Sequence, residues 1–287
     1  MNSSLPETTH ISFLQLRVSD MPKALAFYQG ALGFERVSGE QSTLGLAASQ
    51  GGKPFLFLSE DKTATPALRR APGLFHVAYL YPSRKELAKA FKRLYEHRWP
   101  FQGFADHGVS EALYLADPEG NGIELYADRP RAEWLYQDGQ LQMTTDHLDV
   151  ENLLSEVSGN SDSESVIHPQ TRIGHIHLQV SDLSKAEKFY HELVGLDVTL
   201  RNYPGALFVS AGGYHHHIGF NIWNSRGTTR PAGQTLGLEK FRIELPGEKA
   251  FYDLKKRLEE AGNVIEDGRG TFAARDLDSL QIEFSLS

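Results

Sequence analysis

Val18-Ser19-Asp20-Met21-Pro22-Lys23-Ala24-Leu25-Ala26-Phe27-Tyr28 comes back as Val180-Ser181-Asp182-Leu183-Ser184-Lys185-Ala186-Glu187-Lys188-Phe189-Tyr190. Val-Ser-Asp, Lys-Ala and Phe-Tyr keep the same offsets in both copies. In a chain of 287 residues, such a repeat means two halves of one design. It also lets equivalent positions be compared, which shows where a ligand-type side chain is present and where it is missing.

Each half divides again. Residues 11–18 alternate as a strand, Asp20 N-caps a helix that carries Ala24, Phe27, Tyr28 and Ala31 at helical spacing, and Gly33 ends it. Strands follow through Thr43–Ala48 and Pro54–Ser59. The pattern restarts at Phe75, with a helix over Arg84–Glu96 and strands over Glu111–Leu115 and Gly122–Ala127. A third module runs from Ile173, with a helix over Leu183–Val194 and a last strand over His215–Trp223. The fourth runs from Lys240, with a helix over Glu248–Ala261 and a last strand over Leu280–Phe284. The fold class expected is α+β: four βαβββ modules forming two cup-shaped, curved mixed sheets. The expected domains are 1–128 (modules one and two) and 173–287 (modules three and four). Between them, 129–172 reads as a linker with a short helix at Asp146–Val157, followed by the small and polar stretch 158–165.

Composition narrows the function. With 29 basic against 37 acidic residues the net charge is −8, which argues against nucleic acid and anionic membrane as partners. There is no cysteine, so a transition-metal site must use imidazole and carboxylate. The N-terminus reads as no secretory signal, and no apolar run suffices for a membrane helix. A cytoplasmic protein is expected.

The ends of the module strands carry the chemistry. At the start of the first strand stand Phe13, His76, His175 and Lys240 in the four modules. In the last strand, Glu124 of module two and Glu283 of module four fall in register, while module three has His215-His216-His217 and module one has no ligand. Strand parity puts Glu124 and Tyr126 on the concave face and Ile123 and Leu125 against the helix. By the same parity His217 shares that face with His215, and His216 turns to the helix side or sits at the strand's start. Two imidazoles and a carboxylate with open positions suit Fe(II), and also Mn(II), Zn(II) or Ni(II). Modules two and three together offer His76, Glu124, His175 and His217. Modules three and four offer His175 and Glu283, with His217 as a further candidate and Lys240, read as a solvated charge, where a ligand would sit. The pairing stays open at this stage, with the larger ligand set favouring two with three.

The strand-start histidines and Asp117-Pro118-Glu119-Gly120-Asn121-Gly122-Ile123-Glu124 resemble the vicinal oxygen chelate superfamily, which includes glyoxalase I, bleomycin-resistance proteins and type I extradiol dioxygenases. Asp106–Leu115 and Ala211–Trp223 are similar to its catechol 2,3-dioxygenase-like branch. The resemblance covers nearly the whole chain outside 129–172. It implies a metal-dependent extradiol dioxygenase that opens a small catechol-like aromatic with O₂. Ring opening needs an acid–base group, for which His107, His215 and His177 are candidates, with Tyr126 and Tyr214 as hydrogen-bonding partners of the substrate. Many such relatives carry two histidines and a glutamate in modules three and four. Here Lys240 departs from that pattern. A glyoxalase-type metal isomerase and a non-enzymatic small-molecule binding protein share the fold and stand as alternatives. A homodimer is plausible from the fold family.

Overall fold

A computed structural model of the chain describes residues 4–40, 42–157 and 167–287. The polar stretch expected as a linker, 158–165, lies outside the described residues. Four βαβββ modules follow one another. The first is β1 (His10–Val18), α1 (Met21–Leu25, continued by a wider π-turn over Ala26–Ala31), β2 (Glu35–Glu40), β3 (Thr43–Ala47) and β4 (Leu56–Glu60). The second is β5 (Gly73–Tyr81), α2 (Arg84–Glu96), β6 (Phe101–Asp106), β7 (Ser110–Ala116) and β8 (Gly122–Asp128). A small hairpin, β9 (Tyr136–Gln137) and β10 (Gln140–Leu141), and a short helix α3 (Val150–Ser155) come next. The third module is β11 (Arg172–Gln179), α4 (Leu183–Glu187, continued by a π-turn over Lys188–Val194), β12 (Asp197–Leu200), β13 (Ala206–Ser210) and β14 (Ile218–Asn221). The fourth is β15 (Gly237–Leu245), α5 (Glu248–Glu260), β16 (Val264–Gly268), β17 (Thr271–Arg275) and β18 (Gln281–Leu286). The class is α+β with curved mixed sheets, as expected. Among the described residues no helix is long and apolar enough to cross a membrane.

The chain forms two compact units. One joins residues 1–17, 64–75 and 174–287; the other joins 18–63 and 76–173. In the second unit the order β5-β8-β7-β6 builds module two, with β5 and β8 parallel and β7 antiparallel to β8. In the first unit β14 lies parallel to β11 and β18 parallel to β15.

The same three devices fix the helices in both units. Asp20 and Asp182 cap α1 and α4 by accepting the backbone N–H of Lys23 and Lys185 at 2.9 and 3.0 Å. The widened last turns leave carbonyls unfilled, and an arginine of the unit's other long helix fills them. Arg93 donates to the carbonyls of Ala31 and Leu32 at 3.0 and 2.8 Å, and Arg257 to those of Leu193 and Val194, both at 3.0 Å. Tyr28 then donates its hydroxyl to Asp117 and Tyr190 donates to Asp276, each at 2.8 Å.

Those aspartates open the turns before β8 and β18. One carboxylate oxygen of Asp117 accepts the backbone N–H of Glu119 and Asn121, and one of Asp276 accepts those of Asp278 and Leu280, all at 2.9 Å. Asp117-Pro118-Glu119-Gly120-Asn121 is therefore a turn clamped to a helix through its own carboxylate. Ser19 and Ser181 add a second tie. Each donates its backbone N–H to the acidic residue two positions after the aspartate, Glu119 at 2.8 Å and Asp278 at 2.9 Å. Burial raises both tyrosines well above the ordinary phenol range, and the charge of the partner aspartate adds to it.

Burial also raises Asp276, to about 6, against the lowering effect of its hydrogen bonds. The folded state then holds the proton at a pH where the unfolded chain, near 3.8, has lost it. The stabilisation is complete below about pH 4 and is lost as pH rises through about 6. Relative to Asp276→Asn, the natural chain should lose on the order of 3 kcal/mol of unfolding free energy between pH 4 and 7. Urea unfolding of both proteins across that range checks it; parallel curves would refute it. Arg93→Met strands two buried carbonyls and should cost about 2–3 kcal/mol in the same assay.

Candidate metal and proton-transfer site

In module two, β5 and β8 run in parallel with Ala78 opposite Glu124 and Leu80 opposite Tyr126. Tyr114 and Ala112 of β7 face those same β8 residues. Ala78, Leu80, Ala112 and Tyr126 pack as one cluster, with Tyr114 against it. Val77, Tyr79, Ile123, Leu125, Leu113 and Leu115 alternate with these residues along their strands and are fully buried. Period-two alternation thus delivers Glu124 and Tyr126 to one face, as parity requires. His76 Nε2 lies 3.0 Å from Glu124 Oε2, with both side chains less than one-tenth exposed. A buried carboxylate needs a positive partner. A proton on His76 is one answer, and a divalent cation bound by both is the other. Imidazole plus carboxylate is the donor set that borderline divalent metals take.

Tyr114 was not among the residues selected from the sequence. It sits directly opposite Glu124, and its ring centroid is 5.8 Å from that of His76. Parity on β7 was the available signal, since Ala112 and Tyr114 alternate with Leu113 and Leu115. His107 stands behind it. His107 Nδ1 is 2.7 Å from the Thr144 carbonyl, and Nε2 is 2.7 Å from the Tyr114 hydroxyl. A carbonyl can only accept, so Nδ1 carries the hydrogen, Nε2 accepts, and the phenol donates. The turn bearing His107 is held by Asp106, which accepts the Gly108 N–H at 2.9 Å and pairs with Arg129 at 2.6 Å. Burial works to raise Asp106, but the Arg129 and Gly108 hydrogen bonds outweigh it and hold the carboxyl below its ordinary range. Arg129 and Arg84 also both bind Glu111, at 3.2 and 2.6 Å.

Module three gathers five histidines, all less than one-tenth exposed: His175, His177, His215, His216 and His217. The strand expected over His215–Trp223 begins only at Ile218. Parity therefore does not govern His215–His217. His216 lies just before the strand's start and packs on His175 with ring centroids 4.0 Å apart. His175, His215 and His216 each offer a nitrogen within 4.8 Å of the others. His215 and His216 share a hydrogen between their Nδ1 atoms at 2.8 Å. Tyr214 packs its ring on His215 at 4.0 Å. His217 Nδ1 accepts the Ala211 N–H at 3.2 Å, which places its own hydrogen on Nε2.

Strand register also moves the equivalences. His177 pairs with Gly219, as Ala78 pairs with Glu124, so the counterpart of Glu124 in module three is Gly219. A Cβ there would come within 2.9 Å of His177 Nδ1, and the ring occupies that space. Around His177 stand Phe75, Phe208 and Trp223, with centroids 5.2 to 5.7 Å away.

Module four departs most from expectation. Lys240 is not a solvated charge. It pairs with Glu283, and Arg242 binds the same carboxylate through Nη2 at 2.7 Å and Nε at 3.2 Å. Burial tends to raise Glu283, but Lys240 and Arg242 more than reverse it and hold the group below its ordinary range. Two fixed cations thus occupy the carboxylate that the sequence offered as a metal ligand.

The model of the Glyoxalase/Bleomycin resistance protein/Dioxygenase superfamily matches residues 10–125 and 172–284. Over 279 residues the chain is 41% identical to a catechol-2,3-dioxygenase of Bacillus subtilis (strain 168), covering 96% of each. Among solved structures, a putative dioxygenase from Bacillus subtilis subsp. subtilis str. 168 superposes with a TM-score of 0.64 at 14% identity, covering 99% of this chain and 86% of that one. Glyoxalase I from Zea mays gives 0.57 at 12% identity, covering 97% and 92%. The repeated modules, the turn before β8 and the match across both halves agree: the chain belongs to the glyoxalase/bleomycin resistance protein/dioxygenase superfamily.

Proposed function

We propose that the chain is a metal-dependent extradiol dioxygenase that opens a catechol-like aromatic ring with O₂. The observation that carries this reading is the buried His76–Glu124 pair, in a chain similar over its whole length to a catechol-2,3-dioxygenase. In the proposed ligand set these two residues anchor the metal. His175 holds the equivalent strand-start position in module three and is the candidate ligand there. His217, with its Nδ1 taken by a backbone N–H, and Glu283, held by two cations, fall outside the set. His215 remains a candidate for acid–base work beside His175. A divalent metal, Fe(II) in the simplest case, would supply Lewis acidity toward the two catechol oxygens and redox chemistry toward O₂.

The protein's own groups do the rest. Glu124 brings a fixed negative charge and His76 a neutral donor. Tyr114 stands opposite Glu124 with its proton directed at His107 Nε2, so a proton can pass between that face and His107. Because Nδ1 is already committed to Thr144, His107 takes a proton only at Nε2. Tyr126, buried between Leu80 and Ala112, shapes the same face. The aromatic surface of Phe75, His177, Phe208 and Trp223 suits a planar ring.

Anaerobic reconstitution with Fe(II), followed by metal analysis, should give roughly one metal per chain. Addition of catechol in air should then give a ring-opened product absorbing in the near-visible range. His76→Ala and Glu124→Ala should abolish both, and Glu283→Gln should keep the metal. Metal uptake without product from any catechol would favour an isomerase of the same fold. No metal uptake would refute both readings. Tyr114→Phe and His107→Ala should retain the metal and lower kcat by about 100-fold or more. Unchanged kcat in both would remove the relay from the mechanism.

A further inference from the structure

The first unit holds a cavity of about 1090 Å³ that none of the clustered histidines lines. Its walls come from β1, the start of β15, the turn at Asp278–Ser279 and the loop 227–234. The surroundings are charged, but the charges are unevenly committed. Glu239 is taken by Arg17 and by Gln15, the latter at 2.8 Å. Asp278 accepts the Ser181 N–H at 2.9 Å, and Asp182 caps α4. Lys240 is held by Glu283. Glu266, exposed on β16, is the remaining acid of the lining.

Three cations that line the same cavity are not taken up in this way. Among the described residues, Arg230, Arg275 and Lys185 have no carboxylate at ion-pair distance. Arg230 is half-buried, and its guanidinium spends one donor, on the Leu238 carbonyl at 2.6 Å. A guanidinium carries five N–H donors in a fixed fork, so the group keeps the face that matches a carboxylate or phosphate. Asp276 and Asp278 act on it electrostatically from nearby, and burial pulls its pKa down. A partly desolvated guanidinium in a polar cavity is a group arranged to meet an anion.

We propose that this cavity is a second ligand site, separate from the histidine positions, that takes a small oxyanion through Arg230 with Arg275 and Lys185. The ligand chemistry is a carboxylate or phosphate group on a small molecule. The size of the cavity leaves room for an organic body attached to that group.

Isothermal titration of the full chain with inorganic phosphate, and separately with succinate, tests the proposal against chloride at matched ionic strength. Saturable binding of one of the two anions is expected, and competition between them identifies the preferred group. Arg230→Gln should weaken it by about tenfold or more, and Arg275→Gln, at an exposed position, by less. His76→Ala should leave it unchanged. If Arg230→Gln does not fold, as judged by circular dichroism, Arg230→Lys and Arg275→Gln carry the test. Absence of saturable binding above the chloride control would overturn the proposal. So would equal affinity in the arginine variants, or loss of binding in His76→Ala.

Discussion

A buried hydroxyl-to-carboxylate bond, made once in each unit, orders the rest of the structure. Tyr28 reaches Asp117 and Tyr190 reaches Asp276. Each joins the helix of one module to the turn that launches the last strand of the next. Hydrogen bonds to charged groups are stronger than neutral ones, and leaving a buried partner empty is costly. The aspartate cannot move without releasing two backbone N–H groups as well. The position of β8, and of Glu124 on it, therefore follows from a contact in the opposite layer. The arginine that fills the carbonyls of the widened helical turn works to the same end, because that turn carries the tyrosine.

Much of this was legible in the chain. The repeat announced the modules, and the helix over Arg84–Glu96 was found with the same bounds. Parity assigned Glu124 to the face away from the helix because β8 is regular from Gly122 to Asp128. Parity failed at His215–His217 for the opposite reason: those residues precede β14 and have no pleat to obey. The partners of Glu283 were not legible either. Lys240 and Arg242 lie two apart on β15 and share a face, yet whether a lysine reaches a carboxylate or water depends on packing that no local pattern reports. Tyr114 was missed although its alternation was visible, since a tyrosine in a strand is ordinarily core.

One backbone frame has been filled in three different ways. Module two has His76, Ala78 and Glu124, module four has Lys240, Arg242 and Glu283, and module three has His175, His177 and Gly219. In module four the carboxylate survives, and side-chain cations balance it. In module three the carboxylate is gone, and an imidazole ring lies over the place. The repeat thus shows a constraint older than any single chemistry: the strand-start position and its neighbour two residues on face the same position on the last strand. Whatever charge one brings, the others must balance or vacate.

The closeness of His177 to Gly219 carries an evolutionary consequence. A side chain at 219 and the His177 ring are competitors for one volume, so a carboxylate can appear there only where the ring has already gone. Each change alone is harmful, the first by collision and the second by leaving a hole among Phe75, Phe208 and Trp223. A lineage that has taken the glycine and the histidine together stands in a valley-bounded state. It can return to a module-two arrangement only through a paired substitution, and the two halves of the duplicated chain stay chemically distinct for that reason.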